Sequence, residues 1–248
     1  MRRGHFSFRS GNPALSAKTF QNLESSSKGV MTLDGTVNKI SISLIILLLC
    51  SYYTFSTQNT SFVFIGLIGG LITAIITIFK KQWAPYTVPI YAALEGLALG
   101  GISAIYEHMY TGIAQQAIFL TMGIFAALLF AYKTKIIQPT ENFKLGIFAA
   151  TAGIGVVYLI SFVMSFFGSG LSIMSIENAS MMSIGFSFFV VVIASLNLVL
   201  DFDFIEQGAE MGAPKYMEWY GAFGLLVTLI WLYLEILRLL AKLQSRRN

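Results

Sequence analysis

Seven runs of apolar residues, each close to the length needed to cross a hydrocarbon layer, follow one another with short polar breaks between them. A spanning helix needs about 20 such residues for a layer about 30 Å thick, because each residue advances the helix by about 1.5 Å. The runs are about Ile40 to Phe55, Ser61 to Phe79, Pro85 to Tyr106, Gly112 to Ala131, Leu145 to Phe167, Ser180 to Leu200 and Trp219 to Leu240. A lone strand in lipid would leave its backbone N–H and C=O groups unsatisfied, so every run is expected to be a helix. The expected fold is an all-α integral membrane protein with seven transmembrane helices. Only 11% of the residues are charged, where a soluble domain carries roughly 25%. The mean hydropathy of +0.72 points the same way.

Outside the runs, residues 1–36 are polar and without sustained periodicity, which predicts a mostly disordered N-terminal tail. Arg2 and Arg3 are followed by polar residues rather than an apolar stretch, so no cleavable signal is expected. Residues 37–242 form the expected transmembrane domain and residues 243–248 a basic C-terminal tail. Seven crossings would place Arg2, Arg3, Arg9, Lys18, Lys28, Lys39, Lys80, Lys81, Lys133, Lys135, Lys144 and Lys215 on one side. Arg238, Lys242, Arg246 and Arg247 would lie on the other. That asymmetry puts the N-terminus in the cytoplasm. The basic C-terminus conflicts with it: either the tail is dragged across, or the seventh segment stops short. The length of that segment and the interfacial anchors Trp219 and Tyr220 favour a full crossing.

Several function classes fall away. The one cysteine, Cys50, cannot close an internal disulfide, and with only His5 and His108 there are too few soft ligands for zinc. The net charge of +4 comes from tails and loops, so topology accounts for it better than nucleic acid does. No phosphate-cradling glycine motif is present, and Gly168-Ser169-Gly170 holds a lone serine with no histidine near it. Neither an enzyme nor a resident cofactor is expected.

Ionisable groups at membrane depth cost several kcal/mol unless paired or hydrated, which makes each a functional candidate. Glu95 lies in the middle of the third run with no basic residue within a turn; it reads as a proton-linked acid or one paired to another helix. Asp201 and Asp203 end the sixth run, one turn after Asn197. For Asp201 a solvated helix end and a buried role are both open. Asp203, Glu206, Glu210 and Glu218 read as an ordinary solvated acidic loop. Glu235 and Arg238, three residues apart in the seventh run, can form a local ion pair near the interface. Glycines four apart, Gly66 and Gly70, then Gly96 and Gly100, allow close helix approach.

The chain resembles the Bax inhibitor-1 family, the transmembrane Bax-inhibitor-motif proteins. The likeness rests on the seven runs, on Asp201-Phe202-Asp203-Phe204-Ile205 after the sixth, and on Leu232-Tyr233-Leu234-Glu235-Ile236-Leu237-Arg238-Leu239-Leu240 in the seventh. Glu95-Gly96-Leu97-Ala98-Leu99-Gly100 resembles a further stretch of the family, and Asn12-Pro13-Ala14-Leu15 resembles its bacterial YccA-like branch. The resemblance implies six helices around a central seventh and a pH-sensitive calcium leak. It also implies a gate of two carboxylates, one at the end of helix six and one within helix seven, which would titrate as a coupled pair. Asp201 matches the first position. Two registers put either Glu235 or Thr228 in the second; seven residues apart, both lie on one helical face. Lys80, Lys81 and Arg238 are possible basic partners of the acids, with Glu95 and Asp203 as further pathway acids. The implied location is a bacterial inner membrane, with the lipid bilayer, calcium or other cations, and a membrane protein as partners. A non-conducting interaction protein acting on a membrane protease or stress pathway, and a proton-coupled transporter, are the alternatives.

Overall fold

The computed structural model describes residues 29–168 and 170–247. The seven helices are α1 Leu33–Thr57, α2 Ser61–Phe79, α3 Ala84–Met109, α4 Ile113–Lys133, α5 Glu141–Ser165, α6 Met181–Glu210 and α7 Met217–Ser245. All seven are long and apolar enough to cross a membrane. The only sheet-like pairing among the described residues is one antiparallel bridge, Val30 to Pro214.

The sequence places α2 at its observed bounds and makes every other segment shorter than its helix, although those of α4, α5 and α6 overrun one end by one or two residues; a helix can continue into polar residues past the end of an apolar run. The largest differences are at the end of α6, ten residues beyond Leu200, and at the start of α1, seven residues before Ile40. Thr32 caps α1 by accepting from the Gly35 N–H at 3.0 Å, so residues 33–36 of the expected tail are helical. Residues 29–31 of that tail are held as well: Met31 N–H donates to Ala213 C=O at 2.7 Å and Lys215 N–H to Gly29 C=O at 3.1 Å. Residues 1–28, with Asn12-Pro13-Ala14-Leu15, lie outside the described part. At the other terminus α7 takes in residues 243–245 of the expected basic tail.

The acidic stretch after Leu200 is not a loop. α6 continues through it for ten residues to Glu210, and Glu218 is a fully buried residue of α7. Asp203, Glu206 and Glu218 each meet a partner described below, which removes the need for a solvated loop.

α3 packs on α1 and α2, α6 packs on α4, α5 and α7, and α7 packs on α1, α3, α4 and α6. The glycine pairs sit at two of these seams. A Cβ on Gly96 or Gly100 would run into the backbone carbonyls of Leu47 or Ser51 on α1; one on Gly66 would meet the Leu94 carbonyl of α3. Burial divides the helices: 67% of the most apolar stretch of α7, 61% of α6 and 56% of α3 lies inside, against 11% for α5. A peripheral helix this exposed can face lipid only because lipid is as apolar as the core.

α7 runs the full length of the bundle. At one end, the near end, Glu218 accepts from the Thr32 N–H and hydroxyl at 3.2 and 3.0 Å. At the far end, Lys242 donates to the Ile173 and Ser183 carbonyls at 2.7 and 3.3 Å and to the Ser187 hydroxyl at 2.9 Å. The start of α1 and the end of α7 are therefore at opposite ends of the bundle.

Candidate functional site

Glu235 lies on α7 with 2% of its surface exposed. Two groups hold its carboxylate. Arg238, one turn on, donates from Nη1 to Oε1 at 2.8 Å and to Oε2 at 2.9 Å; Tyr158 of α5 donates its hydroxyl to Oε1 at 2.5 Å. Arg238 also reaches the Tyr158 oxygen at 3.1 Å, with its guanidinium 5.6 Å from the centre of the tyrosine ring. The three side chains form a closed cluster in which a buried charge is paired and hydrogen-bonded, the condition for keeping a charge away from water. The local half, Glu235 with Arg238, follows from the i, i+3 spacing.

Tyr158 has no local signal of its own, yet it belongs to a pattern. Lys144, Ile147, Thr151, Ile154, Tyr158 and Ser161 follow a 3-4 spacing along α5 and so line one face. The apolar members, Ile147 and Ile154, are buried in a cluster with Val190, Ile193 and Leu200 of α6. Three polar members form links at successive depths. Toward the near end Lys144 meets Asp203 at 2.8 Å, seconded by Glu141 at 3.6 Å. One heptad on, Asn197 donates to the Thr151 hydroxyl at 2.8 Å and to the Ile193 carbonyl at 2.8 Å. Tyr158 completes the series, so the helix with least burial is fixed by polar contacts.

Asp201 is fully buried within α6, which decides between the two readings left open for it. Thr228 of α7 is also buried, at 2% exposure, and its hydroxyl faces the Gly224 carbonyl at 3.4 Å. Asp201 does not pair with Glu235, whose partners are Tyr158 and Arg238. The two acids stand nine residues from the near end of α6 and 18 from that of α7, roughly 13 Å apart along the axis at 1.5 Å per residue.

The remaining acids correct the solvated-loop reading. Asp203 pairs with Lys144 and accepts from the Gln207 amide at 2.5 Å. Glu206 accepts from the Tyr132 hydroxyl of α4. Glu218, fully buried, ties α7 to Thr32 and has Lys215 at 3.8 Å. Glu95 is half-buried beside Gly70 of α2 and makes no hydrogen bond or ion pair among the described residues. Lys81 is brought against α7, its Nζ 5.9 Å from the Tyr220 ring centre, whereas Lys80 is exposed. Lys242, buried with neutral oxygens around it, carries no sequence signal beyond lying seven residues after Glu235 on the same face.

Among the described residues no three His, Cys, Asp or Glu side chains cluster closely enough to hold a metal ion. What the arrangement offers is two separate buried acids at the α6 and α7 level, one of them linked to a peripheral helix through a hydroxyl. Glu235 is the shared acceptor of Arg238 and Tyr158, so removing its carboxyl group would weaken the tie between α5 and α7.

A family model described as Bax inhibitor 1 like matches residues 12–245. No curated protein and no solved structure matches the chain.

Proposed function

The chain belongs to the Bax inhibitor 1 like family, and from that premise we propose that it is a pH-sensitive cation leak channel, with calcium as the ion. It would lie in a bacterial inner membrane with its N-terminus in the cytoplasm. α7 is read as the central helix, which its packing on four neighbours and its high burial support. The observation that carries the reading is the burial of Asp201 on α6 and Glu235 on α7, two acids at different depths of adjoining helices. The Glu235 carboxylate is tied to α5 through the Tyr158 hydroxyl, so a rearrangement at Glu235 would act on that helix. Thr228, in Glu235's stripe and nearer the level of Asp201, completes the polar path. Lys81 is a basic neighbour at the near end, and Glu95 and Asp203 are flanking acids.

Calcium efflux from liposomes holding the purified protein, scanned from about pH 5 to 8, tests this, since perturbed acids titrate across that window. The expected result is a leak above empty liposomes whose pH dependence moves in Asp201→Asn and Glu235→Gln. Folded protein with no leak at any pH would overturn it. The closed pair of Glu235 with Arg238 favours a second reading, a non-conducting membrane protein that acts on a partner such as a membrane protease, with the acids as fixed structural pairs.

A further inference from the structure

A cavity of about 630 Å³ opens between α1 and α4 and reaches α3 and α7 behind them. Pockets that bind small organic ligands run from about 300 to 1,000 Å³. Its floor is apolar and buried: Leu47, Leu99, Leu226 and Ile230 are each less than a tenth exposed. Its rim is different, with Tyr52 of α1 at 71% exposure and Phe119 of α4 at 68%. Both rim residues lie within spans, so the opening faces the side of the bundle, where hydrocarbon would be, and not its end.

Polar groups gather at one end of the cavity. Glu107, near the end of α3, and Gln115, in the first turn of α4, sit at the far end of the bundle. One turn deeper, the Ser103 and Tyr233 hydroxyls share a 2.6 Å hydrogen bond. Below that level the lining is almost wholly aliphatic down to Leu44 and Leu226. This is the polarity profile of an amphiphile with its head toward one interface and its tail toward the midplane.

We propose that the cavity binds an acyl chain of a membrane phospholipid from the leaflet at the far end. The chain lies between α1 and α4 against α7, with its ester region level with Gln115 and the Ser103–Tyr233 pair. A lateral entrance excludes an occupant that arrives from water. The mouth also disfavours a free carboxylate, because Glu107 is held there as an acceptor of the Gly112 and Ala114 N–H groups at 2.5 and 3.1 Å. A neutral ester fits better: the Gln115 amide is exposed and makes no hydrogen bond among the described residues. The site is independent of whether the protein conducts ions.

The test is photo-crosslinking in phosphatidylcholine vesicles containing a fraction of phosphatidylcholine with a diazirine in one acyl chain, followed by peptide mapping. Adducts are expected within Leu226 to Tyr233 of α7, whose cavity-lining members annular lipid does not reach. Two filling variants, Ser51→Trp and Met122→Trp, should lower those adducts by about tenfold, the factor that 1.4 kcal/mol of lost binding produces, while adducts at the lipid-facing Phe162 persist. Met122 is on the exposed rim, so that variant leaves the core packing in place. Adducts confined to lipid-facing residues overturn the proposal, as do α7 adducts that neither variant lowers.

Discussion

Tyr158 and Glu235 stand 77 residues apart in the chain and are joined by a 2.5 Å hydrogen bond between the most exposed helix and the most buried one. The bond fixes the far half of α5, whose main packing is on α6. Tyr158→Phe keeps a ring beside Arg238 and removes the hydroxyl. Stability should fall by about 1–3 kcal/mol, the cost of leaving a buried acceptor short of a donor. Chemical denaturation in detergent micelles measures it; an unchanged transition means the hydroxyl does not carry the link.

Removing the two members of the ion pair should have unequal effects. Arg238→Met strands the Glu235 carboxylate, which is 2% exposed, and should cost about 3–5 kcal/mol. Glu235→Gln should cost less, because the Arg238 side chain is 24% exposed and can extend its charge toward the interface. The double variant should be more stable than Arg238→Met alone. A double-mutant cycle reads this directly, and strict additivity would show that the pair is not coupled.

The three polar links along α5 predict a graded release of that helix. In a background with Cys50, the one native cysteine, replaced by serine, Ile154→Cys reports the buried face of α5. Its modification by a maleimide should speed up with Lys144→Met, with Thr151→Val and with Tyr158→Phe, and most with all three together. Equal rates in every background would mean that apolar packing on α6 holds the helix without polar help.

Glycine contacts separate rigid from yielding neighbours. Gly96→Ala and Gly100→Ala would press a methyl group onto the α1 backbone, at Leu47 and Ser51, and should cost about 1–3 kcal/mol each. Gly70→Ala meets the Glu95 side chain instead, which can swing aside, so its cost should be smaller. Thermal unfolding of the three variants in one detergent gives the order. Gly70→Ala as the most damaging of the three would show that Glu95 is held where it lies.

Some of the site could be read directly from the residues. Glu235 and Arg238 are one helical turn apart, so their pairing is a local consequence of helix geometry. Asp201 stood out because an acid at the end of an apolar run is costly wherever it lies, yet its burial depended on α6 continuing for ten more residues. Asp203, Glu206 and Glu218 read as solvated in the sequence because their partners, Lys144, Tyr132 and Thr32, come from other parts of the chain. The 3-4 pattern from Lys144 to Ser161 was available, but in a helix rich in apolar residues all round it does not say which face turns inward.

The amino-acid sequence by itself determined the number of spans and their helical form. Both follow from a local condition, about 20 apolar residues with every backbone polar group satisfied inside its own segment. Tertiary structure alone decided which acids are buried and what holds them. Those facts depend on the rotation of each helix about its axis and on which helices become neighbours, and lipid, as apolar as the side chains it touches, leaves hydropathy almost silent on both.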